Sequence, residues 1–109
     1  MTIAFKDFEA VEMRVGTITD VEEFRRARNP SYKLTIDFGD GDVRPSSAQV
    51  TNHPVDDLVG MQVICVTNFE PRNIAGFMSE VLVLGVPGED GEISLLTPSR
   101  RAELGGRVS

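Results

Sequence analysis

The sequence has a single cysteine and no apolar run near the ~18 residues of a membrane-spanning helix. One cysteine cannot form an internal disulfide, which fits a reducing compartment. The first ten residues, MTIAFKDFEA, carry acids early and lack the apolar core of a signal peptide. We therefore expect a cytoplasmic protein that has no contact with a membrane.

Catalytic and metal-binding motifs are also missing. The sequence contains no GxSxG, Walker, GxGxxG, CxxC or HExxH motif. His53 is the only histidine, and Cys65 falls in an apolar segment where a reactive thiolate is not expected. The turn GDGD at 39–42 lacks the further acidic ligands and the terminal Glu of a calcium loop. We predict no catalytic residue, no metal site and no cofactor.

The net charge of −6, from 17 acidic and 11 basic residues, is unfavourable for binding a polyanion. The basic residues are nevertheless clustered. One cluster lies within 25–33 and another within 100–107. Both a local basic patch and solvated loop ends are consistent with this distribution.

Most of the chain alternates apolar and polar residues with the period of two that is typical of β-strands. The pattern predicts strands over 11–24, 32–38, 43–50, 61–69, 79–86 and 93–96, and 104–108 is a candidate for a last edge strand. In the first strand the alternation breaks after Val15, which predicts a bulge or a sharp bend near Gly16. Because the segment around Cys65 is apolar on both parities, we expect this thiol to be buried and inert.

Two short helices are predicted beside these strands. Phe5 and Phe8 share one helical face, but the segment 3–10 is too short to be helical without contact from the core or from a partner subunit. A second helix is expected after Asn52 or His53, one of which would cap it. The resulting order β-β-β-α-β-β is that of the OB-fold. We predict a mainly β protein, a five-stranded Greek-key OB-fold barrel with short helices at the N-terminus and between strands 3 and 4, formed by residues 1–109 as a single domain.

The segment 68–85, NFEPRNIAGFMSEVLVLG, joins two apolar strands through an unusual loop. Ile74, Phe77 and Met78 stand where polar residues are expected. They either cover the core beneath the loop or line a pocket that receives a ligand.

Four segments resemble the tRNA-binding-domain superfamily: MRVGTITDVEEF, SSAQVT, LVGMQVICVTNFEPRNIAGFMSEVLVLG and LLTPSR. Within that superfamily the sequence looks most like the CsaA-type secretion chaperones, from about Phe8 to the C-terminus. The resemblance implies a homodimer that binds unfolded or pre-secretory polypeptides without ATP. Binding of tRNA or other RNA through the same barrel face is the alternative that it implies.

Two departures from the pattern of tRNA-binding members bear on this choice. Ser47-Ala48-Gln49 stands where those members usually have an SGI-type segment, and Ser79-Glu80-Val81-Leu82 stands where they usually have S-x-GM. Glu80 thus replaces a neutral residue close to where a phosphate is expected. Since a carboxylate repels a phosphate, this substitution favours a polypeptide over tRNA.

Aromatic side chains that could stack on nucleic-acid bases are few. Tyr32, Phe38 and Phe69 are in phase with buried strand faces and are predicted to lie in the core. Phe24 and Phe77, at strand ends or in loops, are the only candidates for stacking.

The predicted ligand-binding residues combine apolar contact with polar anchors. Ile74, Phe77 and Met78 would supply the contact, and methionine adapts to varied partners. The predicted polar anchors are Arg28, Lys33, Ser47, Gln49, Asn68, Arg72 and Ser79.

The homodimer implied by the resemblance would be a two-fold dimer. Its predicted interface combines an N-terminal apolar segment, which a small barrel need not bury itself, with the C-terminal tail. The interface residues are Ile3, Phe5, Phe8, Leu104 and Val108.

Overall fold

The structure is a computed structural model that describes all 109 residues. It contains the helices α1 (Phe5–Ala10) and α2 (Val55–Leu58) and the strands β1 (Met13–Glu23), β2 (Tyr32–Asp37), β3 (Val43–Ala48), β4 (Gln62–Val66), β5 (Arg72–Ile74), β6 (Phe77–Ser79), β7 (Leu82–Val83), β8 (Gly85–Pro87) and β9 (Ile93–Leu95). Five strands form one antiparallel sheet in the order β3-β2-β1-β4-β7, and β5–β6 and β8–β9 are separate hairpins. This nearly closed barrel with two short helices confirms the predicted mainly β OB-fold.

The core fills the inside of the barrel and follows the strand alternation. In β2, Tyr32, Leu34 and Ile36 are buried, whereas the residues between them are half-buried. The same core cluster contains Ile18, Phe38, Val50, Leu58, Val63, Cys65 and Val81. The fully buried thiol of Cys65 agrees with the expectation from sequence.

A bulge in β1 lies between Ile18 and Asp20, two residues beyond Gly16, whereas Gly16 itself pairs regularly with Val63 on β4. Gly16 breaks the alternation for another reason. A Cβ there would lie 2.5 Å from the Ile36 side chain and 2.7 Å from the Phe38 ring. The core therefore packs directly on the backbone of this glycine.

The predicted single strand over 79–86 is wrong. The segment is divided between the end of β6, the two-residue β7 and the start of β8. Val83 still pairs with Cys65 on β4, but from Gly85 onward the chain pairs with β9. The division follows from this change of partner. The sequence also missed the β5–β6 hairpin inside the apolar loop.

Helix α2 has Pro54 at its N-cap, and no side chain caps it. The prediction that Asn52 or His53 caps the helix is therefore wrong. Both side chains contact the carbonyl oxygen of Ile93. The Asn52 amide nitrogen lies 3.2 Å from this oxygen, and the His53 Nε2 lies 2.8 Å from it. They connect this region to β9.

Helix α1 and the C-terminal tail lie beside the start of β1. The Ala4 N–H donates to the Asp7 carboxylate at 2.9 Å, at the first turn of α1. The Val108 N–H donates to the Met13 carbonyl, and one isolated bridge joins Arg14 to Arg107, so the candidate last strand is reduced to a bridge. Neither helix has the length and apolarity to cross a membrane.

Candidate functional site

A groove of about 490 Å³ opens beside the end of β3. Its walls come from the β1–β2 loop, the end of β3, the β5–β6 hairpin and the strands β7 to β9. The apolar part of the lining consists of Ala27, Ala48, Val50, Ile74, Leu82, Val83, Ile93 and Leu95. The rest consists of Arg28, Asn29, Ser31, Ser47, Gln49, Arg72 and Gly85.

The charge in this groove is positive although the chain is acidic. Arg28 and Arg72 contribute the only charged side chains of its lining, and no Asp or Glu is among the lining residues. The groove is therefore an apolar surface with two cationic positions on a protein of net charge −6.

Both arginines are exposed and have no partner within the chain. Neither guanidinium takes part in an ion pair or a side-chain hydrogen bond. Arg14, Arg25 and Arg44, in contrast, each pair with a carboxylate. The five N–H donors of each groove arginine thus remain available to a ligand.

Hydrogen bonds between β3 and the chain after the hairpin hold the groove in shape. The buried Ser46 hydroxyl donates to the Val81 carbonyl at 2.8 Å. The Ser47 N–H donates to the Ser79 hydroxyl oxygen at 2.9 Å. These bonds join β3 to Ser79, at the end of β6, and to Val81, just before β7, and they fix the backbone that carries Ser47.

The β5–β6 hairpin presents Arg72 and Ile74 to the groove. Its turn is tight: Ala75 and Gly76 both have positive φ, and the Gly76 N–H donates to the Asn73 side chain at 2.9 Å. Gly76 adopts this conformation without the steric cost that a side chain brings.

Aromatic contacts hold the hairpin on the barrel. The Phe77 ring packs edge-on against Phe24, with 5.4 Å between the ring centres. The Lys33 ammonium nitrogen lies 5.0 Å from the centre of the Phe24 ring and 5.1 Å from that of Phe77. A cation in this position is attracted by both rings.

Half of the predicted ligand contacts meet in the groove. Those that line it are Arg28, Ser47, Gln49, Arg72 and Ile74. Those that do not line it are Lys33, Asn68, Phe77, Met78 and Ser79.

The second set supports the structure around the groove. Lys33 and Phe77 hold the hairpin, and Ser79 is bonded to β3. The Asn68 side chain accepts from the Glu12 N–H at 3.0 Å and donates to the Ala10 carbonyl at 2.8 Å, which joins the end of β4 to α1. Met78 is exposed.

The groove also contains residues that sequence reasoning missed. Ile93 and Leu95 lie two apart on β9, so both face the groove, and Val50 and Val83 continue the apolar surface. The alternation predicted a strand over 93–96, but its position beside β3 depends on the β8–β9 hairpin. No local signal indicates that long-range contact.

Aromatic residues are absent from the lining of the groove. Tyr32 and Phe38 are buried as predicted, and Phe24, a candidate for stacking, is buried as well. Phe69, predicted to be in the core, is 56% exposed because β4 ends before it. The groove therefore offers no ring on which a base could stack.

Glu80 does not line the groove. The Glu80 N–H donates to the Pro45 carbonyl. The pKa of Arg44 is raised chiefly by its hydrogen bond to Asp42, and the charge of Glu80 contributes to the same increase. Glu80 is therefore not placed to repel a phosphate within this groove.

A second depression, of about 530 Å³, lies at the predicted dimer surface. It is lined in part by Phe5, Phe8 and Val108, so the structure brings these three predicted interface residues together. Ile3 is exposed nearby in sequence, and Leu104 lies at the β2–β3 turn against Gly39.

Besides Arg44, two ionisable groups outside the groove have shifted pKa values. The hydrogen bond from Arg44, followed by that from Arg14, lowers the pKa of Asp42 below its ordinary value. Burial raises the pKa of the Cys65 thiol to about 12. The chain contains no group of three or more His, Cys, Asp or Glu side chains placed to hold a metal ion.

Residues 13–107 match the family model described as a putative tRNA-binding domain. The chain is similar to the CsaA chaperone protein of Picrophilus torridus, with 45% identity, a TM-score of 0.94, and coverage of 99% of this chain and 100% of that one. It is also similar to the chaperone CsaA of Bacillus anthracis, with 44% identity, a TM-score of 0.92 and full coverage of both chains.

Among curated proteins, the methionine–tRNA ligase of Methanocaldococcus jannaschii is 30% identical over 100 residues, which are 92% of this chain. The match spans only 15% of the length of that enzyme. Together these similarities support a tRNA-binding or chaperone-like role.

Proposed function

The chain belongs to the family of putative tRNA-binding domains, and we propose that it is a CsaA-type chaperone that binds unfolded or pre-secretory polypeptides in its groove. The proposed role is non-enzymatic, needs no ATP and has no catalytic step. The observation that carries the proposal is the apolar floor of the groove, formed by β3, β7 and β9 and edged by unpaired polar groups.

This combination suits an unfolded segment better than it suits a base. An extended polypeptide presents apolar side chains, which gain about 25 cal/mol for each Å² removed from water, and backbone amides, which need hydrogen-bond partners. Leu82, Ile93 and Leu95 supply the apolar contact, and Ser47 and Gln49 supply hydrogen-bonding groups.

Binding of tRNA is the second candidate function, and the free donors of Arg28 and Arg72 favour it. Two cations are few for a nucleic-acid site, because affinity there comes largely from many phosphate contacts. The groove also lacks the aromatic rings that hold unpaired bases. We therefore place polypeptide first.

We also propose that residues 1–109 form one cytoplasmic domain and that two copies form a two-fold dimer. Phe5 is 71% exposed, and Phe8 and Val108 lie beside it in the second depression. An apolar patch of this kind is the type of surface that a second copy buries. Analytical ultracentrifugation that gives a monomer at micromolar concentration would contradict the dimer.

Titrations against a reduced, unfolded polypeptide and against tRNA, each at low and high salt, test the proposed function. Polypeptide binding through apolar contact should persist at high salt. The logarithm of the tRNA association constant should fall linearly with the logarithm of the salt concentration, with a slope of about −0.7 to −0.9 for each phosphate contacted. Tight, salt-steep binding of tRNA without affinity for the polypeptide would overturn the proposal.

A further inference from the structure

We propose that the groove selects polypeptide segments in which a side-chain carboxylate, from Asp or Glu, is flanked by apolar residues. This inference rests on the proposed polypeptide binding and specifies its substrate class. The carboxylate would lie against Arg28 and Arg72, with its apolar neighbours on the floor formed by Leu82, Ile93 and Leu95.

Arg28 and Arg72 are both available to a ligand. Both are exposed at the groove, and neither is neutralised by an acid of the chain. A guanidinium binds a carboxylate through two parallel N–H···O bonds, which are stronger than hydrogen bonds between neutral groups. Arg44 already makes this contact inside the protein, with both Asp42 oxygens, at 2.8 and 3.1 Å.

The net charge of −6 would by itself attract basic polypeptide segments. Charges in water are screened beyond about 8 Å at physiological salt, so distant acids act weakly on a ligand in the groove. The lining contains Arg28 and Arg72 and no acid. Local contact therefore decides the preference, and it favours a negative group.

A carboxylate within a polypeptide differs from other anions because apolar side chains can flank it. The lining places apolar side chains from four strands, β3, β5, β7 and β9, within the same groove as the arginines. An isolated anion gains nothing from that floor, whereas a segment such as Leu-Glu-Leu uses both kinds of surface. An internal side chain is the expected source, because an unfolded polypeptide has many such groups and one C-terminal carboxylate.

The test uses fluorescein-labelled peptides with amidated C-termini and one central Leu-Glu-Leu in a flexible Gly/Ser background. Fluorescence anisotropy would give the dissociation constant for this peptide and for versions with Gln or Lys in place of Glu. We expect the Gln peptide to bind about three- to tenfold more weakly than the Glu peptide, and the Lys peptide more weakly still.

Protein variants then locate the preference. The combined Arg28→Gln and Arg72→Gln variant should bind the Glu and Gln peptides equally. Arg26→Gln removes the same charge from the same loop, outside the groove lining, and should keep the preference. Because all three arginines are exposed, these substitutions are expected to change stability by no more than about 0.5 kcal/mol, which urea unfolding would verify.

The possible outcomes separate the two proposals. Equal binding of the Glu, Gln and Lys peptides would refute the carboxylate preference and leave polypeptide binding in place. Absence of binding for every peptide and for the unfolded polypeptide would refute the proposed function itself. If a tRNA oligonucleotide binds through Arg28 and Arg72 while no peptide does, the arginines serve phosphate and the inference is wrong.

Discussion

The ammonium nitrogen of Lys33 lies 5.1 Å from the centre of the Phe77 ring, so the barrel sheet holds the hairpin that forms one wall of the groove. The contact connects two residues expected to touch a ligand, yet neither lines the groove. Their effect on binding should therefore be indirect and pass through the position of the hairpin.

Phe77→Ala should weaken polypeptide binding because it removes the ring that holds the hairpin against Phe24. The ring is half-buried, so the cost in stability should be about 1–2 kcal/mol, below the 3–5 of a fully buried Phe. Urea unfolding and a binding titration would measure both effects. The matched control is Met78→Ala, on the same strand and exposed, which should change neither quantity. Unchanged binding in Phe77→Ala would contradict this role of the hairpin.

Ser79→Ala should destabilise the protein by about 1–3 kcal/mol, because it leaves the Ser47 N–H without its partner. Chemical denaturation measures this loss, and hydrogen exchange at Ser47 should become faster. Ser94→Ala removes an exposed hydroxyl from β9 and serves as the control. Equal stability of the two variants would mean that the bond to Ser47 contributes nothing.

Cys65 should resist alkylation in the folded protein. Burial raises its pKa to about 12, so the reactive thiolate is scarce at neutral pH, and no path leads a reagent to the sulfur of a residue with 0% exposure. Mass spectrometry after iodoacetamide treatment should show modification only in urea. Rapid labelling without denaturant would contradict the buried position.

Asp42→Asn should cost about 1 kcal/mol at pH 7, since the carboxylate is bonded to Arg44 and Arg14 and remains partly solvated. The pKa of Asp42 is lower in the folded state than its ordinary 3.8, so its stabilising effect is complete above that value. As the pH falls further, the unfolded chain takes up the proton first and the effect is lost. Urea unfolding of both proteins should therefore show a difference that shrinks below about pH 4. A constant difference down to pH 2 would contradict this assignment.

The barrel could be predicted because the patterns that specify its strands lie within short segments of the sequence. The alternation in β2 and the apolar run of β4 specify strands and their buried faces, and the structure agrees. Prediction failed where pairing changes along one segment. The residues 79–86 read as a single strand, but Val83 pairs with β4 and Gly85 pairs with β9.

Only part of the candidate site could be predicted, because some of its residues are brought there by long-range contacts. Arg28, Ser47 and Arg72 are recognisable as polar groups in loops or irregular strands, and they do line the groove. Ile93 and Leu95 reach it only through the β8–β9 hairpin, which is a long-range contact. Phe77 was expected in a loop but begins β6, and its ring packs against Phe24, which is distant in sequence.

The most direct test of the account is an amide chemical-shift titration of the labelled protein with an unfolded polypeptide. Binding in the groove predicts the largest shifts at the end of β3, at Arg72–Ile74 and along β9, with little change at α1. Shifts confined to α1, Phe69 and the C-terminal tail, with the groove residues unchanged, would contradict the claim that this groove is the polypeptide site.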